Sequence, residues 1–238
     1  MIDMRSFLQQ IKKTNDLFTV KKRVSTKYEI AAITEKLDGS KAAMFENING
    51  SKFKLVSNLV GSRDRFAQAI GCKKSNINQK IVKAISSAKK PKISKTAKFF
   101  ENSSKDISIL PIVTHFQNES GPFITSSILY TRNQEKKSQN SSFHRLMPIG
   151  KNQFSIRMVE DRDLHRSFMF AKTHGQDLPI AITIGVHPAI SIACAFQAKW
   201  GKNELEIANS LLNNKLTLAK CPNTGLLVPS TAEIVMEG

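Results

Sequence analysis

Acidic residues are scarce in this sequence: 19 Asp+Glu stand against 36 Lys+Arg over 238 residues, a formal net charge of +17. Cysteine is scarcer. Cys72, Cys194 and Cys221 are odd in number, far apart and without CxxC spacing. That pattern argues against a disulfide framework and a cysteine-ligated zinc site, and for a reducing, cytoplasmic setting. No apolar run approaches the roughly 18 residues of a membrane span, so none is expected. The opening residues MIDMRSFLQQIKK place polar side chains where an export signal would carry its apolar stretch. GxSxG, HExxH, the P-loop and GxGxxG are all missing, which removes the common hydrolase and nucleotide-binding signatures. With 40% hydrophobic and 23% charged residues the chain has the composition of a folded protein, and its length allows one large or two modest domains.

The positive charge is uneven. Residues 1–110 hold 23 Lys+Arg and 9 Asp+Glu, whereas residues 111–238 hold 13 and 10. The excess peaks around Lys89, Lys90, Lys92, Lys95 and Lys98. Such a stretch attracts polyanions. Its cations are nearly all lysine with no aromatics interleaved for base stacking, which speaks against nucleic acid as a partner and for a solvated linker.

Met4, Phe7, Leu8 and Ile11 recur at helical spacing and predict an opening amphipathic helix. Thr26-Lys27-Tyr28-Glu29 fits a capping box for a second helix that Asp38-Gly39 stops. Strands are expected over 42–46 and 53–56, a helix capped by Ser62, and another over 77–87. The Lys-rich, Pro-containing stretch 88–105 is the natural boundary. In the second half, runs at 123–130, 142–147 and 153–158 read as strands, separated by a polar loop over 131–139. A helix over 163–174 follows, then a buried strand over 178–184. Helices at 188–198 and 204–212 (the second capped by Asn203) and strands at 216–219 and 233–236 complete the pattern.

The second half scatters Asn140, Arg145, Arg157, Arg162, Asp163, His165 and Glu204 among these elements. Asn, Asp and Glu oxygens suit a hard cation such as Mg²⁺ or Mn²⁺. Guanidinium forks suit a phosphate or carboxylate. Each residue also has a plain structural explanation: Asn140 as a turn residue, Asp163 as a helix cap, Glu204 as a first-turn carboxylate, the arginines as a solvated face. Composition and spacing leave both readings open.

These residues lie in a series of collinear segments: MRSFLQQI, YEIAAI, FENINGSKF with SNLVGSRDR, LPIVTHFQNESGPFITSSI, NSSFHRLMPIGKN, IRMVEDRDLH, LPIAITIGVHPAISIA, NELEIANSLL and CPNTGLLVPSTAEIVMEG. Through them the chain resembles the UbiD family of prenylated-FMN-dependent decarboxylases. IRMVEDRDLH and IGVHP are most similar to the archaeal branch, which includes a decarboxylase of an anhydromevalonate phosphate in isoprenoid (mevalonate pathway) synthesis. The resemblance implies an α+β fold, with an N-terminal α/β domain over 1–106, the Lys-rich linker at its end, followed by an FMN-binding split β-barrel over 107–238. It implies prenylated FMN, Mn²⁺ and a potassium ion as cofactors, and loss of CO₂ from an α,β-unsaturated, phosphorylated small acid such as trans-anhydromevalonate 5-phosphate. Carried over by position, Asn140 and Glu204 are metal ligands and Arg145 is the catalytic arginine that holds the substrate carboxylate. Phe143, His144 and Arg145, then Arg157, Met158 and Val159, then Arg162 and Asp163, line the flavin.

The sequence departs from the family in two places. Asp163 stands where many members have a metal-binding histidine, so Asp163 becomes the third ligand, or His165 takes part. The chain also ends at Glu237-Gly238, before the family's paired acidic residues, its last barrel strands and its oligomerisation domain. The expectation is therefore a C-terminally truncated member with an incomplete barrel, in which Glu233 and Glu237 are no substitute for the missing general acid. Three readings follow: the first part of a working decarboxylase, oligomeric once completed by a second polypeptide; an inactive remnant; or a flavin- or polyanion-binding module without turnover.

Overall fold

The computed structural model describes residues 2–196 and 198–238. Helix α1 (Met4–Lys13) starts where Asp3 accepts from the Ser6 amide at 2.7 Å and the Ser6 hydroxyl oxygen accepts from the Asp3 amide at 3.2 Å, a reciprocal cap. Lys12 and Lys13 in its last turn face the negative end of the helix dipole. Phe7 and Ile11 on its inner face are fully buried, each worth about 1.5–3 kcal/mol of apolar transfer. The chain then forms β1 (Leu17–Val20), α2 (Glu29–Lys36), β2 (Ala42–Phe45) and β3 (Leu55–Ser57), a sheet of order β1-β2-β3 with the first pair parallel and the second antiparallel. Helices α3 (Arg63–Ala69) and α4 (Ile77–Ser86) follow, then a short strand β4 (Lys92–Ser94).

The second half is richer in sheet. It runs β5 (Ile128–Asn133), β6 (Ser138–Phe143), β7 (Leu146–Pro148), β8 (Phe154–Ile156), α5 (Asp163–Thr173) and β9 (Ile180–Ile184). Then come α6 (Pro188–Cys194), α7 (Glu204–Leu211), β10 (Thr217–Lys220), β11 (Leu227–Pro229) and β12 (Ile234–Glu237). An antiparallel sheet of order β12-β9-β5-β6 lies beside a β7-β8 hairpin and a third sheet of order β11-β10-β4. The α+β class is as expected, with the sheet-rich part following the α/β part. No helix among the described residues is long and apolar enough to cross a membrane.

Four local expectations are corrected. The capping box at Thr26 is not formed: Tyr28 precedes α2 at φ 67° with no side-chain cap, its amide donating to the Thr114 carbonyl at 3.0 Å. A tertiary bond has replaced the local one, and the Glu29 carboxylate accepts instead from the Ser25 amide at 2.9 Å. The polar loop over 131–139 is the tip of a hairpin, because β5 runs to Asn133 and β6 starts at Ser138. Helix α6 stops at Cys194 rather than reaching 198; Gln197 lies outside the described residues. The Lys-rich linker holds a strand: β4 pairs in parallel with β10, Ile93 opposite Leu218. The Asn209 amide also ties down the Lys89 and Lys90 carbonyls at 2.9 and 3.3 Å. Lysines suit such an edge because their ammonium heads stay in water while the backbone pairs.

The main core crosses position 106, joining Phe7, Ile70 and Ile77 to Tyr130, Ile190, Leu205 and Val228. Gly185 makes one of its close approaches: at φ 76°, a Cβ there would sit 2.7 Å from the Glu233 side chain.

His187 starts α6. Its Nδ1 accepts from the Ala189 amide at 3.2 Å, its ring meets Phe7 edge-on, and Pro188 follows at the first helical position. Burial holds its pKa down to about 4, against a smaller upward pull from Asp3. The unfolded chain therefore binds a proton more readily than the folded one between about pH 6.5 and 4. His187 should contribute stability that is complete above pH 6.5 and falls by about 3 kcal/mol as pH drops to 4. Urea melts across that window should show the loss, and His187→Asn, which keeps a capping oxygen, should flatten it.

Candidate active site

Three of the predicted residues, Asn140, Asp163 and Glu204, lie where β6 meets the N-termini of two helices. Asp163 opens α5 and Glu204 opens α7, so both carboxylates stand at positive helix ends. Asn203 caps α7 through its side chain, accepting from the Leu205 amide at 2.9 Å. Leu205, Ile207, Ala208 and Leu211 bury the helix's inner face and pull Glu204 inward with them, to 3% exposure. Asn140, 5% exposed, lies on β6 facing Asp163.

Contacts tie the group together. The Asn140 amide nitrogen donates to Asp163 Oδ2 at 3.4 Å, and Glu204 Oε2 accepts from the Ser141 amide at 2.8 Å. Burial pushes the Glu204 carboxyl up to about 7, opposed by its backbone hydrogen bonds and reinforced by the charge of Asp163. Asp163 is raised too, again by burial, with Arg166 and Arg162 pulling it down. Glu204 forms no ion pair among the described residues. A buried carboxylate without a cation is a costly arrangement, and a second carboxylate nearby makes it more so. A divalent ion would relieve both, and amide and carboxylate oxygens are the right donors for Mn²⁺ or Mg²⁺. No three His, Cys, Asp or Glu side chains cluster as a metal site among the described residues; the amide oxygen of Asn140 has to supply the third position.

The other predicted residues spread outward from this centre. Arg145 is exposed, with its guanidinium 4.7 Å over the Phe123 ring and in no ion pair among the described residues. The structure thus puts Asn140 in contact with Asp163 and seats Glu204 on the amide of the neighbouring Ser141, while Arg145 forms no ion pair among the described residues. Phe143, Val159, Arg157 and Arg162 are exposed and Met158 is half-buried. His144 is partly buried, which lowers its pKa despite the facing Arg157 carbonyl. Its own carbonyl accepts from the Ser127 hydroxyl. His165 Nδ1 accepts from the Asp161 amide at 3.3 Å, which commits that ring to its own turn. Glu233 binds Arg5 with both oxygens, at 2.7 and 2.6 Å, and Glu237 accepts from the backbone and side chains of Asn223 and Thr224. Neither carboxylate is free to act as an acid.

Sequence reasoning missed Ser142. Its hydroxyl lies 3.2 Å from Asn140 Oδ1 and 3.0 Å from His144 Nε2. The signal was the period-two run Asn140, Ser142, His144, concealed by starting the strand at 142 instead of 138.

Comparison with known proteins agrees along the whole chain. Residues 8–85 match the 3-octaprenyl-4-hydroxybenzoate carboxy-lyase N-terminal domain, and residues 86–238 match the Rift-related domain of the same family, UbiD. The anhydromevalonate phosphate decarboxylase of Methanothermobacter thermautotrophicus is 30% identical over 235 residues, covering 99% of this chain and 54% of that protein. Its counterpart from Methanosarcina mazei is 32% identical over 245 residues, with 98% and 54% covered. An evolved dimeric form of the UbiD-class enzyme HmfF from Pelotomaculum thermopropionicum, solved with prFMN, superposes with a TM-score of 0.94 at 33% identity, covering 100% of this chain and 57% of that one. The chain spans about half the length of the curated relatives it matches.

Proposed function

The chain belongs to the UbiD family, and from that premise we propose that it supplies the flavin- and metal-binding part of a prenylated-FMN-dependent decarboxylase. The observation that supports the reading is a buried Glu204 carboxylate with no cation among the described residues, bonded to the strand that carries the Asn140–Asp163 contact. In this reading Asn140, Asp163 and Glu204 would hold Mn²⁺, whose charge would offset that of a flavin phosphate. The segments 143–145, 157–159 and 162–163 line the flavin. When bound, the cofactor supplies the electron sink for decarboxylation.

The chain's own residues bind and orient. The guanidinium fork of Arg145, in no ion pair among the described residues, receives the substrate carboxylate in two parallel hydrogen bonds, and Phe123 beneath it restricts its swing. Loss of CO₂ leaves a carbon to be protonated, and neither Glu233 nor Glu237 is free to do so. Turnover is accordingly assigned to the assembled enzyme, with the acid contributed by the part corresponding to the other half of the relatives, as a second polypeptide or as further chain. The substrate proposed is an α,β-unsaturated acid of the anhydromevalonate phosphate type, supported by the two relatives' names.

The test is co-expression with a flavin prenyltransferase in Mn²⁺-containing medium. The purified chain should retain a modified flavin, visible in its absorbance spectrum, and should lose it on chelation of the metal. A folded, colourless protein that takes up neither Mn²⁺ nor flavin overturns the reading.

A further inference from the structure

We propose that His144 is a positioning residue that keeps the carbonyl oxygen of Asn140 available to a cation, by giving the Ser142 hydroxyl proton a second acceptor. The inference rests on the metal-site reading above and concerns how this chain prepares its amide ligand.

The argument starts from strand geometry. Asn140, Ser142 and His144 alternate along β6 and its continuation, so their side chains share one face. Asn140 directs its amide nitrogen at Asp163 Oδ2, which turns Oδ1 toward Ser142, 3.2 Å from the hydroxyl. His144 Nδ1 lies 3.3 Å from the Arg157 carbonyl. A carbonyl can only accept, so the ring proton sits on Nδ1 and Nε2 presents a bare lone pair. That lone pair is 3.0 Å from the same Ser142 hydroxyl.

One hydroxyl proton thus has two acceptors, Asn140 Oδ1 and His144 Nε2. Without a cation either placement satisfies the hydroxyl. A cation on Oδ1 repels a proton aimed at the same oxygen, and the hydroxyl rotates to Nε2, leaving no polar atom unpaired. The order Arg157 carbonyl, His144, Ser142, Asn140, Asp163 is a chain of hydrogen bonds in which a single rotor moves. Without the imidazole acceptor, Asn140 Oδ1 is the one side-chain acceptor left to the proton among the described residues, in direct opposition to the metal.

The experiment is a double-variant cycle read as the Kd for Mn²⁺, by calorimetry or by the electron paramagnetic resonance of free Mn²⁺, on the intact chain. His144→Phe keeps a ring but no acceptor, and should weaken binding by about tenfold. Ser142→Ala removes the competing proton and should stay within about threefold of wild type, below the range for losing an outer partner. Combining the two should restore binding to the Ser142→Ala level. A structural role for His144 gives no such reversal. If His144→Phe does not fold, His144→Leu takes its place in the same cycle. A double variant as weak as the His144 variant overturns the proposal, as does a tenfold loss in Ser142→Ala alone. Wild-type chain that binds no Mn²⁺ overturns the metal-site reading itself, and this inference with it. Binding that depends on Glu204 but gives an additive cycle overturns only the inference.

Discussion

Glu204→Gln should abolish Mn²⁺ uptake, and with it the metal-dependent retention of flavin, while leaving the chain folded. The expected loss exceeds the roughly 10–100-fold that removal of an outer-sphere partner costs, because here an inner-sphere charge is deleted. The direction of the stability change separates this from simple damage. Glu204 is buried, its oxygen accepts one amide, and no cation among the described residues compensates it. Glutamine offers the Ser141 amide the same acceptor without a charge to desolvate. In the absence of metal the variant should therefore melt no lower than wild type, whereas wild type alone should gain stability when Mn²⁺ is added. Thermal melts with and without metal, alongside the binding isotherm, decide it. A variant that melts lower without metal and still takes up Mn²⁺ would show that the carboxylate is a packing group.

Most of the helical framework could be read directly from the sequence because it is encoded locally. The apolar stripe fixes α1, Ser62 caps α3, and Asn203 caps α7. What local pattern could not reveal is tertiary in origin. Tyr28 is held at φ 67° by Thr114, far along the chain, and no propensity in residues 26–29 records that bond. Strand β4, Lys92-Ile93-Ser94, is three residues long and pairs with β10 alone among the described residues, so its apolar content is too small to signal a strand.

The site was legible in a different way. Asn140, Asp163 and Glu204 are separated by 23 and 41 positions, and nothing in their spacing brings them together; the resemblance named them, and the fold places two helix N-termini against β6. Polar types at buried positions could not be recognised as such beforehand, because burial is a property of the packed chain. Arg65 shows the same limit away from the site. In sequence it sits in the first turn of an amphipathic helix between Asp64 and Phe66, where arginine ordinarily faces water.

Arg65 is instead 1% exposed, and Arg65→Met should be the most damaging substitution outside the site. Its guanidinium donates to three backbone carbonyls: Ser40 at 2.6 Å, Asn58 at 3.2 Å and Leu59 at 3.3 Å. Burial lowers its pKa, with Asp16 and Asp38 supplying the opposing negative charge. One side chain thus closes the loop between β3 and α3 onto the turn that follows α2. Asn58 adds a bond from its amide to the Thr34 carbonyl, and its own backbone sits at φ 55°. At Gly61 even a Cβ would press to 3.3 Å against the guanidinium and Asn58. Methionine fills comparable volume but donates nothing, leaving those carbonyls unpaired at about 1–3 kcal/mol each where water cannot reach. A net loss of about 3 kcal/mol is expected, a fall in Tm of roughly 6–12 °C for a chain of this size. Arg65→Lys keeps the charge and a shorter set of donors, so it should fall between the two. Differential scanning calorimetry of the three proteins tests the order. A methionine variant within about 1 kcal/mol of wild type would mean that the loop finds other donors, because an unpaired carbonyl alone costs at least that much.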